Sequence, residues 1–382
     1  MNSVQKSTNC NHNNTHNFVF TDADTQHMTR ALQLAERGLC STSPNPRVGC
    51  VIVDSSGICI AEGWHETAGA AHAEVHALQQ AGEKARGATA YVTLEPCSHH
   101  GKTGPCCEAL IAAGIARVVY GMQDPNPQVA GHGLQKLRDA GIAVDGPLLE
   151  KEASALNPGF IKRMQSELPL VRIKMAMSLD GRTAMASGES QWITGAAARQ
   201  DVQHWRARSC AIITSANTVL RDNAKLTVRD ADTLQALHHR QPLRVLLDQH
   251  ARVALDTPFF TDTAPVLWCT HQQPIAALPT HITHCVLPLK NNSLDLHALL
   301  AELGRRQCND VLIEAGATLA GAFVRENLAD ELIIYIAPQL MGSTARPLFD
   351  FQIDAMMDTK KLHIIDASAI GEDWRFILRP NI

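Results

Sequence analysis

The spacing of apolar residues alternates along the chain between helical and strand periods, and this alternation predicts an α/β protein. Apolar residues recur three or four positions apart over 25–39, which predicts a helix there. Two β-rich runs over 48–53 and 58–63 flank the turn residues 54–57 and predict a hairpin. The elements predicted next are helix 72–81, strand 88–94, helix 106–113, strand 117–122, helix 134–140 and strand 142–144. Helices would therefore cover a sheet in a layered α/β domain.

A second unit follows a break in this pattern. Residues 148–166 are predicted to form a connecting helix that is interrupted at 157–159, an Asn-Pro-Gly sequence. A β-rich run over 170–177 then opens the second half of the chain. The predicted segments are a disordered polar tail over 1–23, a first domain over 24–166 and a second domain over 167–382.

Composition narrows the class of protein. The chain has 382 residues, enough for two domains with sizeable cores, and its net charge of −4 leaves no basic surface for nucleic acid. No apolar run approaches the ~20 residues of a membrane span, and the first residues lack the pattern of a signal peptide. The 11 cysteines therefore indicate reduced thiols in the cytoplasm. Two histidines of the polar tail, His12 and His16, are expected to be solvated.

The candidate chemistry lies within residues 72–107. An imidazole at His72, a carboxylate at Glu74, a thiol at Cys97 and another at Cys106 or Cys107 are the groups needed for a catalytic zinc. Three protein ligands leave a fourth tetrahedral position for water, which distinguishes a catalytic site from a closed structural one. The metal lowers the pKa of that water toward neutrality. Glu74 would then move its proton to a leaving group.

The predicted elements bring these groups together. Residues two apart on a helix point in nearly opposite directions, so His72 and Glu74 share a site only if they straddle the first turn. The strand that precedes Cys97 delivers this thiol at its carboxyl end. Pro105 suits the first turn of the helix that begins at Cys106. His72 and Cys106 then each lie at the N-terminus of a helix. The partial positive charge of a helix N-terminus favours the thiolate form of a nearby cysteine.

Three other interpretations of this stretch stay open on the residues alone. His72 and His76 are four residues apart, like the two zinc-binding histidines of zincin proteases. In those proteases, however, a glutamate follows the first histidine directly, and here that position is Ala73. Buried cysteines without a metal are a second possibility. A structural zinc is the third, and it would need a fourth ligand from His99, His100 or Cys107.

The motif His72-x-Glu74 with Pro96-Cys97 resembles the zinc deaminases of nucleobases, whose signature is H-x-E followed by P-C-x-x-C. Here eight residues separate Cys97 from Cys106, an insertion similar to that of the pyrimidine deaminase of riboflavin biosynthesis. The resemblance implies one zinc ion per domain, held by His72, Cys97 and Cys106, with Glu74 as the catalytic residue. It also implies that Asn45, His65, His99 and Lys102 contact the substrate. Lys102 would lie near the phosphate of the substrate.

Four blocks of the second half, over 170–184, 190–194, 218–227 and 311–319, resemble the reductase domain of the bifunctional riboflavin-pathway deaminase/reductase family. The resemblance implies an α/β fold with an N-terminal cytidine-deaminase-like α/β/α layer domain and a C-terminal dihydrofolate-reductase-like domain that uses NADPH. Cofactor contacts are implied for Lys174, Ala176, Trp192, Thr218, Asp222, Gly316, Ala317, Thr318, Leu319, Ala320, Gly321 and Ala322. Contacts with the reductase substrate are implied for Ser190, Arg206, Leu226, Arg229 and Glu314.

The residues of the second half support this resemblance in part. An apolar strand over 310–313 runs into Gly316, and Thr318 is expected to cap a helix over 319–326, whose first amides suit a phosphate. The glycine pattern is not G-x-G-x-x-G, so a Rossmann fingerprint is absent. Candidate cations for phosphate groups are Lys174, Arg206 and Arg229. Candidate general acids for the reduction are Asp180, Asp222 and Glu314.

The function expected from the resemblance is two consecutive reactions on one phosphorylated pyrimidine. The first domain would deaminate 2,5-diamino-6-(5-phospho-ribosylamino)pyrimidin-4(3H)-one, and the second would reduce the ribosyl side chain of 5-amino-6-(5-phosphoribosylamino)uracil to ribityl. We expect small-molecule substrates, no nucleic acid or membrane partner, and a homo-oligomer, either dimer or tetramer. One alternative is a cytidine- or tRNA-adenosine-type deaminase fused to an unrelated domain. Another is a zinc-bearing binding module without turnover that senses nicotinamide nucleotides.

Overall fold

A computed structural model describes residues 19–99, 104–127, 129–237, 240–273 and 277–381. Most of the predicted polar tail and Lys102 therefore lie outside the described residues. The α-helices are α1 (Asp22–Glu36), α2 (Ala73–Ala81), α3 (Cys106–Ala112), α4 (His132–Asp139), α5 (Glu150–Leu156), α6 (Pro158–Ser166), α7 (Ala196–Arg208), α8 (Ala216–Asp222), α9 (Ala231–Ala236), α10 (Pro258–Thr261), α11 (Leu296–Arg305) and α12 (Ala317–Arg325).

The strands of the first half are β1 (Gly49–Val53), β2 (Cys59–Trp64), β3 (Thr89–Val92), β4 (Arg117–Tyr120) and β5 (Ala143–Asp145). Those of the second half are β6 (Leu170–Ser178), β7 (Arg182–Ala184), β8 (Ala211–Ser215), β9 (Leu243–Leu247), β10 (Val266–Thr270), β11 (Ile282–Val286), β12 (Leu289–Lys290), β13 (Ser293–Leu294), β14 (Asp310–Ile313), β15 (Glu331–Ala337), β16 (Arg346–Pro347), β17 (Leu362–Ile370) and β18 (Asp373–Pro380).

The first sheet has the strand order β2-β1-β3-β4-β5. β1 pairs antiparallel with β2 and β3, whereas β3, β4 and β5 run parallel. Two glycines let helices lie close against the hairpin. A Cβ on Gly49 would lie 1.9 Å from the Ala31 oxygen of α1, and one on Gly63 would lie 2.3 Å from the Ala73 oxygen of α2. This contact places the N-terminal turn of α2 beside the end of the hairpin.

The second sheet has nine strands in the order β11-β10-β9-β8-β14-β6-β15-β18-β17. The strands from β11 to β15 are parallel, and β18 and β17 close the edge in antiparallel pairing. Val311, Leu312 and Ile313 of β14 are fully buried at the centre. Because the carboxyl ends of parallel strands meet at one edge, residues after β6, β8 and β14 lie at the same edge of the sheet.

The segment between the two sheets contacts both of them. α5 and α6 meet at Asn157, which confirms the predicted break in the connecting helix. The Asn157 side chain accepts a hydrogen bond from the Arg47 amide and donates one to the Arg47 oxygen, each 2.8 Å long. Lys162 of α6 forms an ion pair with Asp330 of the second domain at 2.6 Å. α6 ends at Ser166, beside the predicted boundary, and the domain ranges themselves stay a prediction.

The starts of α1 and α12 differ from the prediction, each for a local reason. α1 begins three residues earlier than predicted because Thr21 and Asp24 form a capping box. α12 begins at Ala317 with Gly316 at its N-cap, so Thr318 does not cap it. The Thr318 hydroxyl instead donates to Asp350 at 3.2 Å.

The predicted α/β architecture is confirmed in both halves of the chain. Among the described helices, none has the length and apolar character needed to cross a membrane. The cysteines that the structure describes are all free thiols.

Candidate metal centre and active sites

Three donor groups converge where α2, α3 and the segment after β3 meet. The structure brings together His72, Cys97 and Cys106, with ligand atoms all within 4.8 Å of one another. The Nδ1 atom of His72 lies 3.2 Å from the Cys106 sulfur and 3.6 Å from the Cys97 sulfur. His72 is the N-cap of α2, and Cys106 is the first residue of α3. The sequence placed these residues at helix starts and after a strand, and the structure has them there.

The donor set fits a zinc ion. Hydrogen bonds from the Cys106 thiol and from His72 hold the pKa of Cys97 well below its usual value, which favours a thiolate at this position. The Cys106 amide also points at the Cys97 sulfur at 3.3 Å, as expected for a helix N-terminus beside an anion. One imidazole and two thiols form a typical catalytic zinc set with one position left for water.

Glu74 lies beside this group on the first turn of α2. Its side chain is buried, lines the adjoining cavity and contacts Cys106. Burial, reinforced by the charge of Cys97, raises the pKa of Glu74 to about 7. Because His72 is the extended N-cap residue, His72 and Glu74 face one site although they are only two residues apart.

Two of the three donors, His72 and Cys97, line a cavity of about 430 Å³. Asn45 and His65 line it and contact each other, with Asn45 Nδ2 3.3 Å from His65 Nε2. The His65 ring packs edge-on against His72 with centroids 5.3 Å apart. His99 also lines the cavity. Three of the four predicted substrate contacts thus share the cavity with Glu74, and the fourth, Lys102, lies outside the described residues.

Sequence reasoning missed a buried carboxylate that shapes this cavity. Glu95 accepts hydrogen bonds from the amides of Gly131 and Gly133, each at 2.9 Å, and from that of Asp124 at 3.2 Å. It thereby holds the segment that carries the cavity residues Asp124 and Val129. A glutamate next to the Pro96-Cys97 ligand motif was the available signal.

Several cavity residues come from beyond the first sheet. Phe160, Arg163 and Met164 belong to α6, and Gln307 lies between α11 and β14 of the second domain. The sequence contained no pattern that assigned these residues to the site, because their proximity depends on how the two domains pack.

The alternative metal sites find little support in the geometry. Cys107 packs in the apolar core of the first domain, and its amide donates to the Cys97 oxygen. In the described part of the chain, the donor group that could hold a metal contains three residues and includes neither His76 nor His99. A zincin-type site is therefore disfavoured, as is a structural zinc closed by His99 or Cys107. His100, the other fourth ligand considered, lies outside the described residues.

A second polar cluster lies at the carboxyl edge of the large sheet. Glu314, which follows β14, receives two hydrogen bonds from Arg206 of α7, at 2.6 and 2.9 Å. Lys174 of β6 lies 3.9 Å from the same carboxylate. Burial alone would raise the pKa of Glu314, but Arg206 and Lys174 hold it below its usual value. The structure thus brings together three of the residues predicted for the reductase site.

The remaining predicted reductase residues surround the same edge or lie in loops near it. Thr218 and Asp222 belong to α8, directly after β8, and Gly316 precedes α12, directly after β14. Gly316 is exposed, and a Cβ on it would meet nothing within 4 Å, so there is free space beside the N-cap of α12. Residues Ala317 to Ala322 form the first turns of that helix, and Ala176 lies on β6.

Other predicted contacts differ in their exposure. Trp192 is 68% exposed and stacks on Arg199, whose guanidinium carbon lies 4.6 Å from the ring centre. Ser190 is half-buried in the same loop, and Arg229 is exposed. Leu226 is buried.

The candidate general acids are not equivalent. Asp180 accepts hydrogen bonds from the Ser178 hydroxyl and from the amides of Met341 and Gly342. The Ser178 bond and the two amides lower the pKa of Asp180 to about 2, so it is a poor proton donor near neutral pH. Glu314 is held as an anion by Arg206. Desolvation raises the pKa of Asp222, which is the direction that a proton donor needs.

Comparisons with known proteins agree with this division of the chain. Residues 21–122 match the model of the cytidine and deoxycytidylate deaminase zinc-binding region, and residues 169–376 match the RibD C-terminal domain. The riboflavin biosynthesis protein RibD of Escherichia coli K12 is 50% identical over 359 residues, covering 92% of this chain and 97% of the relative.

Solved structures give the same result. RibD of Acinetobacter baumannii (form 2) is 45% identical and superposes with a TM-score of 0.86, covering 94% of this chain and 99% of the other. A Thermotoga maritima protein described as a diaminohydroxyphosphoribosylaminopyrimidine deaminase/5-amino-6-(5-phosphoribosylamino)uracil reductase is 34% identical, with a TM-score of 0.84 and the same coverage. The similarity extends over both domains, which excludes a deaminase fused to an unrelated domain.

Proposed function

The chain belongs to the RibD family of riboflavin biosynthesis proteins, and we propose that its two domains act in turn on one phosphorylated pyrimidine. It is a bifunctional enzyme with a deaminase and a reductase domain. The proposed first substrate is 2,5-diamino-6-(5-phospho-ribosylamino)pyrimidin-4(3H)-one, and the proposed second is 5-amino-6-(5-phosphoribosylamino)uracil. Both follow from the activity given for the Thermotoga maritima relative.

In the deamination, the C–NH₂ bond of the pyrimidine is replaced by a carbonyl and ammonia leaves. Zinc held by His72, Cys97 and Cys106 would supply a water of lowered pKa, and hence a nucleophile at neutral pH. Glu74 accepts the proton of the attacking water and delivers it to the departing nitrogen, a role that needs a buried carboxylate within reach of both. Asn45, paired with His65, offers an amide that can read donor and acceptor edges of the ring.

In the reduction, the ribosyl side chain becomes ribityl. NADPH would supply the hydride, as cofactors carry the hard chemistry in such enzymes. The open N-terminus of α12 at Gly316 offers backbone amides to a cofactor phosphate. Lys174, Arg206 and Glu314 form a charged cluster at the large sheet, where they could contact the cofactor or the sugar phosphate.

The observation that carries this proposal is the convergence of three metal donors beside Glu74 in a chain that matches the family over both domains. Purified protein is incubated with the diaminopyrimidine phosphate, with and without NADPH. We expect ammonia and the aminouracil phosphate without NADPH, and the ribityl product with stoichiometric NADPH oxidation when it is present. NADH should support the second step poorly. Absence of ammonia release by zinc-loaded protein would contradict the deaminase assignment.

We further propose a homo-oligomer that forms through the edge of the large sheet. β17 is the last strand of that sheet, and Ile364 and Ile365 on it are 64% and 50% exposed. Trp374 on the neighbouring β18 is 50% exposed. A long apolar edge strand is a template for pairing, and the same strand of a second copy is a self-complementary partner.

The two cysteine ligands also indicate the kind of cellular compartment in which the enzyme can bind zinc. Cys97 and Cys106 bind zinc only as reduced thiols, which a reducing compartment maintains. We therefore propose that the enzyme acts in the cytoplasm, where NADPH is also available to the second domain.

A further inference from the structure

The guanidinium of Arg163 is a cation on the wall of the deaminase cavity that has no carboxylate partner. It belongs to α6, in the connecting segment, and lines the cavity together with Phe160 and Gln307. Among the described residues, none of the carboxylates lies within 4 Å of it. Burial lowers the pKa of Arg163, which nevertheless stays charged because arginine titrates far above neutral pH. A half-buried, unneutralised charge facing a cavity favours an anionic ligand.

The orientation of this guanidinium is set by two neighbours. Its Nε donates to the Asn309 side-chain oxygen at 2.7 Å, and one terminal nitrogen donates to the Pro44 oxygen at 3.2 Å. A guanidinium has five N–H donors, so three remain for a ligand. The Asn309 amide also donates to the Pro44 oxygen at 3.0 Å. Asn309 is buried in the second domain, so that domain fixes both Arg163 and the loop that carries Asn45.

The position of Arg163 suits the end of the substrate that does not react. Along the cavity wall, His65 packs against the donor His72, Asn45 contacts His65, and Pro44 joins Asn45 to Arg163. With the reacting ring carbon beside Glu74, the same cavity leaves room for the ribosyl phosphate along this wall toward Arg163. Arginine with free N–H groups is the residue type that recognises phosphate through paired hydrogen bonds.

We propose that Arg163 binds the phosphate of the deaminase substrate and that Asn309 of the second domain is the positioning residue that aims it. The inference rests on the proposed function of the cavity. The deaminase site then depends on both domains, because the side-chain amide of Asn309 in the reductase domain orients Arg163 in the connecting helix.

The test compares the phosphorylated substrate with its dephosphorylated analogue in zinc-loaded, full-length protein. Arg163→Met should raise the deaminase KM for the phosphorylated substrate about tenfold to hundredfold, the range of a hydrogen bond to a charged group. Its kcat, and its KM for the dephosphorylated analogue, should match those of the wild type. Asn309→Ala should raise the same KM less and leave kcat unchanged, since it misaligns the guanidinium without removing it.

Lys162→Met is the matched control, because Lys162 is the adjacent cation on α6 and its charge pairs with Asp330. It should leave the preference for the phosphorylated substrate unchanged. NADPH oxidation with the aminouracil phosphate reports folding of each variant. An unchanged phosphate preference in Arg163→Met, or an equal loss with both substrates, would overturn the proposal while the wild-type activity still supports the proposed function.

Discussion

At the scale of single residues, the metal centre depends on where each donor lies relative to a helix start. His72 is an N-cap residue and Cys106 the first residue of the next helix, so short side chains from separate elements converge. The neighbouring residue Cys107 has the same chemistry but faces the core. One position along a helix turns a side chain by about 100°, which decides between a ligand and a packing residue.

Cys106 and Cys107 should therefore respond differently to substitution. We expect Cys106→Ser to lose the zinc measured by elemental analysis and all deaminase activity. Cys107→Ser should keep about one zinc per chain but lower the free energy of unfolding by about 1–3 kcal/mol, because it buries a hydroxyl among apolar groups. If zinc were lost only in Cys107→Ser, Cys107 and not Cys106 would be the zinc ligand.

Glu74 offers a second test at this scale. Glu74→Gln preserves the shape of the side chain but removes the proton acceptor, so deaminase kcat should fall about 10²–10⁴-fold. Zinc content and NADPH oxidation with the aminouracil phosphate should be unaffected. Glu66→Gln is the matched control because Glu66 is an exposed carboxylate on the segment before α2. A wild-type deamination rate in Glu74→Gln would show that the assigned role is wrong.

At the scale of elements, one buried carboxylate of α1 forms hydrogen bonds to two strands of the first sheet. Asp24 accepts hydrogen bonds from Tyr91 of β3 at 2.7 Å and from Arg117 of β4 at 2.6 Å. Burial alone would raise the pKa of Asp24, but Arg117, Thr21 and Tyr91 together hold it well below its usual value. The sequence predicted the helix from its apolar spacing, yet this cross-link to two strands followed only from the packing.

The Asp24 contact predicts a pH dependence of stability. Because its folded-state pKa is below the unfolded value, Asp24 stabilises the fold above about pH 4, and this contribution is lost as the pH falls further. Asp24→Asn should lower the free energy of unfolding at pH 7 by about 3 kcal/mol, as for a broken buried ion pair. The difference from wild type should shrink in urea unfolding at lower pH.

Asp22→Asn is the control for this measurement. Asp22 is an exposed acid in the same first turn of α1. Its substitution should change stability little at any pH. If both variants lose the same stability at pH 7, the effect belongs to the helix dipole rather than to the Asp24–Arg117 contact.

At the scale of the whole molecule, the proposed oligomer depends on the exposed edge of the second sheet. Ile364→Asp places a charge in the apolar edge strand and should shift the mass measured by light scattering from oligomer to monomer. Ile58→Asp is the matched control, because Ile58 is 63% exposed in the hairpin turn of the first domain. It should leave the mass unchanged. An oligomer that survives Ile364→Asp would contradict the use of this edge.

The sequence by itself determined the elements and the chemistry of the first site. Periodicity placed the hairpin, α2, α3, β6 and β14 to within a few residues, and the spacing of His72, Glu74, Cys97 and Cys106 predicted which groups would meet. Such features are local, because a helix start or a strand end is set by residues within a few positions of it.

Only the tertiary structure decided which distant residues complete the sites. Glu95 holds a loop more than twenty residues away, Arg206 pairs with Glu314 across the second sheet, and Asn309 reaches Pro44 across the domain boundary. None of these pairs has a sequence signature, because a hydrogen bond between segments far apart in the chain depends on how sheets and helices pack. Reactive residues that belong to a sequence motif can therefore be predicted from the sequence. The residues that surround them in the site are brought there by tertiary packing alone.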